Sequence, residues 1–288
     1  MFQTPGNNRQ AGARSSTVEY KDILVHLDGT SEDETRLAHA EALACAFDAH
    51  LCGLYTIQLP DIAVGVMAYA EIEDRLRAEG VIVQKRLAER LNRIGSLNEL
   101  RKIEAGLDDM RRAVATEARL ADLLVASCPR GTARQWSFAV EEALFEGGRG
   151  VLLTPEGVQP RDAIRTIVIG WVNARAATRA VAEAMPLLQR AGLTEIVCVE
   201  EGTTGVERAL ARSDIAAHLD RHGIEVNISI ISDATHDAAG AILDKARRVS
   251  ADLIVTGAYG HSRLREWILG GVTRDLIARS EIPLLMAH

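Results

Sequence analysis

Two nearly identical heptapeptides are the feature that most constrains how this chain folds. Residues 121–127 read Ala-Asp-Leu-Leu-Val-Ala-Ser, and residues 251–257 read Ala-Asp-Leu-Ile-Val-Thr-Gly. Each lies late in a block that opens with an apolar run, at residues 22–28 in one block and 166–172 in the other. Two such blocks indicate a tandem duplication, because a solenoid would need several shorter repeats.

Within each copy, short apolar runs alternate with segments of helical periodicity. The runs lack polar alternation, which predicts strands buried on both faces of a sheet. The predicted strands are 22–28, 51–57, 100–105, 121–127 and 150–154, then 166–172, 195–200, 224–231, 251–257 and 283–287. The predicted helices are 31–47, 69–94, 108–119, 139–146, 175–191, 205–222, 236–249 and 272–280. This order predicts an α/β protein with two open parallel sheets, each covered by helices on both faces.

The domain boundaries follow from the repeat. Residues 155–160, Pro-Glu-Gly-Val-Gln-Pro, are typical of a polar hinge. We therefore predict a first domain over residues 21–155 and a second over residues 161–288. Residues 1–20 lack the continuous apolar core of a secretory signal and are predicted to form a mobile polar tail.

Composition excludes several classes of protein. The 288 residues include 33 Lys plus Arg against 40 Asp plus Glu, a formal net charge of −7, which argues against a nucleic-acid-binding surface. No apolar run is long enough to span a membrane. The cysteines form no CxxC pair, which predicts structural thiols and a reducing compartment, the cytoplasm. No GxSxG, HExxH or Walker A motif is present, so the sequence gives no positive support for catalysis.

A glycine-rich segment follows the fourth predicted strand of the second copy. It contains Gly257 and Gly260, then nine residues, then Gly270 and Gly271 before a helix that begins near Val272. Ligands of open parallel sheets bind at the carboxyl ends of the strands. Glycine lets the backbone approach an anion, and the first amides of a helix can donate to phosphate oxygens. The alternative is that these glycines serve only tight packing.

This spacing, together with the duplication, resembles the universal stress protein family in its tandem form, over residues 20–288. The resemblance implies flavodoxin-like, Rossmann-like domains with strand order 3-2-1-4-5. It also implies that the domains pair through their last strands, Val151–Thr154 against Leu284–Ala287, as a pseudo-dimer within one chain. A homodimer of whole chains is left open.

The function implied by the resemblance is that of a non-catalytic stress-response regulator. Its second domain alone would bind ATP or AMP, with or without Mg²⁺, and would act on partner proteins that the sequence does not identify. A slow ATPase and a nucleotide-free interaction module are the alternatives. Neither nucleic acid nor a membrane is an expected partner.

The resemblance also implies the site residues. The implied nucleotide-binding residues are Thr256, Gly257, Gly260, His261, Arg263, Gly270, Gly271, Val272, Thr273, Gly170 and Val172. Two of them depart from the family pattern. Gly271 stands where ATP binders of the family carry a hydroxyl, for which Thr273 or the Gly271 N–H is the expected substitute. Val172 stands where they carry an acid.

The first copy shows the opposite pattern. Asp28 supplies the acid at the end of the first strand, but the loop that begins at Ser127 and includes Pro129 contains no Gly-x-x-Gly. Proline has no N–H to offer an anion. The first copy is therefore predicted to be a poor nucleotide site.

Four further features have two interpretations each. Trp171 either stacks on an adenine or packs at the edge of the core. His218 and His222 either share a cation or complement a helix C-terminus. Asp237 is more typical of a helix cap than of a catalyst. The apolar run 60–69 is either a partner or ligand surface or a loop packed on its own sheet.

Overall fold

A computed structural model describes residues 19–60, 66–129, 138–199, 214–231, 237–258 and 271–288, without the side chains of residues 66–69 and 199. The first half contains β1 (Asp22–Leu27), α1 (Asp33–Phe47), β2 (His50–Gln58), α2 (Val66–Leu91), β3 (Asn98–Ala105), α3 (Leu107–Arg119), β4 (Leu123–Ser127), α4 (Phe138–Glu142) and β5 (Gly150–Thr154). The second half contains β6 (Thr166–Trp171), α5 (Arg175–Leu188), β7 (Leu193–Val199), α6 (214–221), β8 (Val226–Ile231), α7 (Ala238–Arg248), β9 (Leu253–Gly257), α8 (Gly271–Arg279) and β10 (Leu284–Ala287).

The ten strands form one sheet in the order β3-β2-β1-β4-β5-β10-β9-β6-β7-β8. Each half therefore has the predicted order 3-2-1-4-5, and the predicted fold class is confirmed. All neighbouring strands are parallel except β5 and β10, which pair antiparallel with Leu284 opposite Leu153 and Met286 opposite Val151. The predicted pairing of the last strands is thus observed. It covers one edge of each half and leaves β3 and β8 as the outer edges.

Helices cover both faces of the sheet and create two apolar cores. Helices α1, α2, α5 and α6 pack on one face, and α3, α4, α7 and α8 pack on the other. The central strands contribute side chains to both cores, which explains why their sequences lack polar alternation. The prediction of burial on both faces is wrong for β3 and β8, because these edge strands are only partly covered. None of the described helices has the length and apolar composition needed to cross a membrane.

The helix predicted over 139–146 differs from the observed one. The α-helical turn ends at Glu142 and is followed by a single π-helical turn, Ala143–Gly147, which Gly148 terminates with a φ of 66°. A Cβ atom on Gly147 would lie 3.0 Å from the Cβ atom of Ala118 on α3, so the wider turn brings bare backbone against that helix. Sequence periodicity does not detect such a close approach. Of the helix predicted over 205–222, residues 214–222 lie within the described residues, and the observed helix ends at residue 221.

The repeated aspartate of the two heptapeptides has the same structural role in each half. Asp122 Oδ2 accepts hydrogen bonds from the backbone N–H groups of Lys21 (2.7 Å) and Asp22 (3.0 Å), where β1 begins. Asp252 Oδ2 accepts from the N–H groups of Arg165 (2.8 Å) and Thr166 (2.9 Å), where β6 begins. Each carboxylate therefore fixes the first strand of its own half.

Removing either carboxylate leaves two backbone donors without their acceptor. We expect Asp122→Ala and Asp252→Ala each to lower the free energy of unfolding by about 1–3 kcal/mol. Urea denaturation followed by circular dichroism measures the change. Asp109→Ala is the matched control, because that carboxylate is 72% exposed and pairs only with exposed Arg112. A loss at Asp122 no larger than the control's would contradict the assigned role.

Candidate functional site

The predicted nucleotide site lies at the carboxyl ends of β6 and β9 in the second half. Gly170 on β6 lies beside Thr256 on β9, which is 7% exposed, and β9 ends at Gly257. Helix α8 begins at Gly271. Four of the predicted residues fall within 259–270, outside the described residues: Gly260, His261, Arg263 and Gly270.

Gly257 is required for packing. A Cβ atom at this position would lie 2.5 Å from the N atom of Ala177 and 2.6 Å from the carbonyl carbon of Ala176, both in the first turn of α5. A Cβ atom on Gly170 would lie 3.0 Å from Cδ1 of Ile242 on α7. The end of β9 therefore approaches α5 more closely than any side chain allows, whereas a small shift of Ile242 would accommodate a Cβ atom on Gly170. Gly257 fits the packing interpretation whether or not it also contacts a ligand.

Gly271 differs from Gly257 in its contacts with the described residues. Within the described residues, no heavy atom lies within 4 Å of a Cβ atom built at this position. The next residue, Val272, is 37% exposed, whereas Thr273 is buried. Neither α8 nor α5 carries an acidic residue in its first turn. The amide ends of both helices are therefore free of the acidic side chains that would repel an anion.

Val172 occupies the position at the end of β6 where an acid was expected. Its side chain is 55% exposed, and its carbonyl accepts a hydrogen bond from the N–H of Ala174 (2.7 Å) in a tight turn before α5. The preceding Trp171 is half-buried and packs against the core on the α5 face. That contact agrees with the packing interpretation of Trp171. Stacking on an adenine stays a prediction.

The first half has a cluster of charged and polar groups at the corresponding end of β1, in which His26, Asp33 and Arg36 are buried and Asp28 is 37% exposed. Arg36 on α1, with a side chain only 3% exposed, donates from Nη2 to Oδ1 of Asp28 (2.5 Å) and to Oδ1 of Asp33 (2.5 Å). Asp33 also accepts from the N–H groups of Asp28 (3.1 Å) and Gly29 (3.0 Å). The first-strand acid of this half, predicted to be a poor nucleotide site, is thus already bonded to an arginine of the same half.

Burial and the Arg36 charge set the ionisation of this cluster. Burial alone would raise the pKa of Asp28, but the hydrogen bond and positive charge of Arg36 outweigh it and hold that pKa well below its usual range. For Asp33 burial prevails, and the pKa is raised despite Arg36. Burial, with a further contribution from Arg36, lowers the pKa of His26 to about 4. His26 is therefore neutral at neutral pH, and its Nε2 lies 2.9 Å from Thr56 Oγ1.

The two halves differ at every position of this cluster. Aligned on their first strands, the paired residues are His26 and Gly170, Asp28 and Val172, Asp33 and Ala177, and Arg36 and Ala180. Charged or polar side chains in the first half thus correspond to small or apolar ones in the second. Sequence reasoning identified Asp28 but missed Arg36, Asp33 and His26. Aligning the whole first helix of each copy, rather than the first strand alone, would have revealed all four differences together.

The buried His26 predicts how stability depends on pH. The folded pKa of about 4 lies below the unfolded value of 6.5, so the unfolded state binds the proton more readily. The stabilising contribution is present above pH 6.5 and is lost as the pH falls toward 4, by about 3 kcal/mol in total. We expect His26→Gln to reduce the decline of the melting temperature across this window. Thermal melts at intervals of pH measure it, and the same decline in both proteins would contradict the prediction.

Three further candidates from the sequence are Asp237, the pair His218 and His222, and the apolar run 60–69. Asp237 caps α7 by accepting from the N–H of Gly240 (2.7 Å) and also binds Arg279 through both oxygens (2.8 and 2.9 Å), so the cap interpretation is confirmed. The rings of His218 and His222 lie 4.8 Å apart edge to face. No group of three or more metal-binding side chains occurs among the described residues. The side chains of 61–69, which make up most of the predicted apolar surface, lie outside the described residues.

The structure has two doubly wound α/β halves, with glycines at the strand ends of the second half and an ion cluster at the equivalent strand ends of the first. Residues 163–288 match the sequence model of the Universal stress protein family. This match confirms, for the second half of the chain, the resemblance predicted from its motif.

Individual relatives agree with this assignment. The chain is 46% identical over 50 residues to the stress response protein NhaX of Bacillus subtilis, a match that covers 17% of this chain and 30% of that protein. A universal stress protein from Archaeoglobus fulgidus DSM 4304 superposes with a TM-score of 0.69 and 19% identity over 92% of this chain and 97% of that one. A functionally unknown protein from Pseudomonas aeruginosa PAO1 superposes with a TM-score of 0.58 and 16% identity over 92% of each chain. These two structures show that 92% of this chain shares their fold.

Proposed function

We propose that this chain is a stress-response protein whose second half binds an adenine nucleotide, ATP or AMP, with or without Mg²⁺, without a catalytic role. The stress-response part is supported by the family match of residues 163–288 and by the similarity to a stress response protein. The nucleotide part is supported by the geometry at the ends of β6 and β9.

One observation carries the proposal: Gly271 opens α8 with a bare backbone that has no packing role among the described residues. Glycine has no Cβ atom, so it leaves the backbone at the first residue of a helix open to close approach by a ligand. In this proposal, that ligand is an anion that approaches the Gly271 N–H group directly at the positive end of a helix. Thr273 is buried, so the Gly271 amide is the better candidate to replace the missing hydroxyl.

The affinity is expected to be modest. A hydrogen bond to a charged group contributes about 1.5–3 kcal/mol, and the site lacks two such groups, at Gly271 and Val172. The proposed nucleotide is therefore held mainly by backbone amides, and a dissociation constant in the micromolar range or weaker follows. Such a protein would respond to changes in the nucleotide pool rather than remain permanently loaded.

The first half is proposed not to bind nucleotide. Its acid, Asp28, is engaged by the guanidinium of Arg36 at 2.5 Å. A ligand hydroxyl would have to displace an ion pair in which Arg36 is nearly fully buried, and breaking a buried pair is strongly unfavourable. We therefore propose that each chain binds one nucleotide.

In this proposal the protein has two conformations that present different surfaces to partner proteins. The nucleotide shifts the equilibrium toward the conformation that binds it more tightly. We place this activity in the cytoplasm. None of the four cysteines, all within the described residues, forms a disulfide, which agrees with a reducing compartment.

The test restores the missing hydroxyl. Gly271→Ser places its side chain in open space, so the fold should tolerate it. We expect ATP to bind this variant about 10-fold more tightly than the wild type, the equivalent of one added hydrogen bond. Isothermal titration calorimetry with both proteins measures the change.

Gly95→Ser is the matched control, because a Cβ atom at Gly95 also meets nothing within 4 Å. An unchanged ATP affinity in Gly271→Ser would contradict the site. Phosphate release from ATP that is proportional to protein and abolished by Gly260→Asp would replace the non-catalytic function with the slow ATPase. Absence of ATP binding to either protein would favour the nucleotide-free interaction module.

A further inference from the structure

The two outer edges of the ten-stranded sheet differ in character. Edge strand β3 carries four charged residues among its eight, and they form ion pairs of Arg101 with Glu99 and of Lys102 with Glu104. Charges of this kind are a common defence against unwanted strand pairing. Edge strand β8, Val-Asn-Ile-Ser-Ile-Ile, has no charged residue and no proline. It therefore lacks the protection that its counterpart has.

The outward side of β8 is also apolar on one face. Ile228 and Ile230, two residues apart and hence on the same face, are 41% and 53% exposed. They line a groove of about 970 Å³ together with Val226, with Ala216 and Ala217 of α6, and with the acidic residues Asp220 and Glu225. In the first half the third residue of the edge strand is Leu100, which packs against the core instead.

The other face of β8 is closed by contacts within the domain. Ser229 donates to Glu195 on β7 at 2.5 Å, and Glu195 is paired with Lys245 of α7 at 2.9 Å. Ile231 packs against the core on that side. An incoming strand would therefore add to the edge and bury only the Ile228 face.

We propose that β8 pairs antiparallel with β8 of a second copy of this chain and joins two ten-stranded sheets into one. The chain already contains this kind of junction, because β5 and β10, the equivalent strands of its two halves, pair antiparallel at the centre of the sheet. Two-fold symmetry is the commonest symmetry of homo-oligomers, and a two-fold axis perpendicular to the sheet makes a self-complementary strand its own partner.

The sequence of β8 fits such an axis through Ile228. Ile228 then lies opposite Ile228 of the second copy, Val226 lies opposite Ile230, and Asn227 lies opposite Ser229. Apolar residues meet apolar ones on the open face, and polar residues meet polar ones on the other. Cross-strand pairs of β-branched residues contribute favourably to sheet association, and no like charges within the strand oppose one another. This self-complementarity favours a second copy over an unrelated strand.

The test introduces a charge at Ile228, the residue on the proposed axis. In Ile228→Lys, two ammonium groups face each other across the junction, and we expect the dimer dissociation constant to rise by about 100-fold or more. Sedimentation equilibrium over a micromolar to millimolar series should show wild-type mass rising from 31.2 kDa toward twice that value, while Ile228→Lys stays monomeric. Ile82→Lys is the matched control, because Ile82 is 72% exposed on α2, away from this edge. This variant should dimerise as the wild type does.

Mixing two variants separates loss of pairing from loss of fold. Ile228→Lys and Ile228→Glu should each be monomeric, and an equimolar mixture should form a dimer because opposite charges then meet at the axis. A wild-type protein that stays at 31.2 kDa throughout the series, or an Ile228→Lys variant that dimerises as well as the wild type, would overturn the proposal. Two monomeric variants that fail to associate on mixing would overturn the register.

Discussion

Replacing Arg36 with alanine should lower the free energy of unfolding by about 3–5 kcal/mol, the typical effect of removing one partner from a buried ion pair. The guanidinium is nearly fully buried and bonds both Asp28 and Asp33 at 2.5 Å. Without it, the Asp33 side chain, only 5% exposed, would keep a desolvated charge or take up a proton. Its nearest remaining cation is the exposed Arg86, at 3.8 Å.

The second half of the chain supplies the matched control. Asp28→Val, Asp33→Ala and Arg36→Ala combined install the residues found at the aligned positions of β6 and α5. Because this triple variant leaves no charge unpaired, we expect it to be more stable than Arg36→Ala alone, although it lacks more hydrogen bonds. Urea denaturation of the three proteins measures both differences. If Arg36→Ala were as stable as the wild type, or the triple variant less stable than Arg36→Ala, Arg36 would not be the group that compensates the two carboxylates.

Replacing Gly271 with aspartate should weaken ATP binding by about 100-fold or more. A carboxylate a few ångströms from a phosphate costs roughly 4 kcal/mol at the dielectric typical of a protein surface, which exceeds the 2.7 kcal/mol that a 100-fold loss represents. The Cβ atom meets open space, and an acid in the first turn stabilises a helix. The variant should therefore fold at least as well as the wild type while losing its ligand.

Gly95→Asp carries the same added charge at an equally open position in the first half and should leave the affinity unchanged. Calorimetry with ATP, accompanied by thermal melts, distinguishes a lost site from a lost fold. Equal affinity in Gly271→Asp and wild type would show that no phosphate lies near the start of α8. Gly257 is unsuitable for this purpose, because any side chain there collides with the first turn of α5.

Sequence alone could predict the fold because its strongest signals are local and repeated. Buried strands appear in the sequence as unbroken apolar runs. The similar heptapeptides of the two copies identify the same strand in each half. The duplicated aspartate was visible in both copies, but its role required the structure, since Asp122 bonds residues about a hundred positions away. The close approach of Gly257 to α5 could not be predicted either, because the sequence does not distinguish a glycine needed for packing from one that contacts a ligand.

The candidate site was only partly predictable for a different reason. An arginine on an amphipathic helix is usually exposed, so Arg36 gave no signal by itself. Its burial depends on two acids that converge on it from the end of β1 and the start of α1, at Asp28 and Asp33. The contrast between the halves becomes clear only when these positions are aligned with Val172, Ala177 and Ala180.

The most direct test of the account is the stoichiometry of ATP binding to the full chain, measured by isothermal titration calorimetry with protein freed of any co-purified nucleotide. We predict a saturable transition with one ATP per chain, supplied by the second half while Arg36 closes the first. Two ATP per chain would contradict the closed first half, and no binding at millimolar ATP would contradict the site that begins at Gly271.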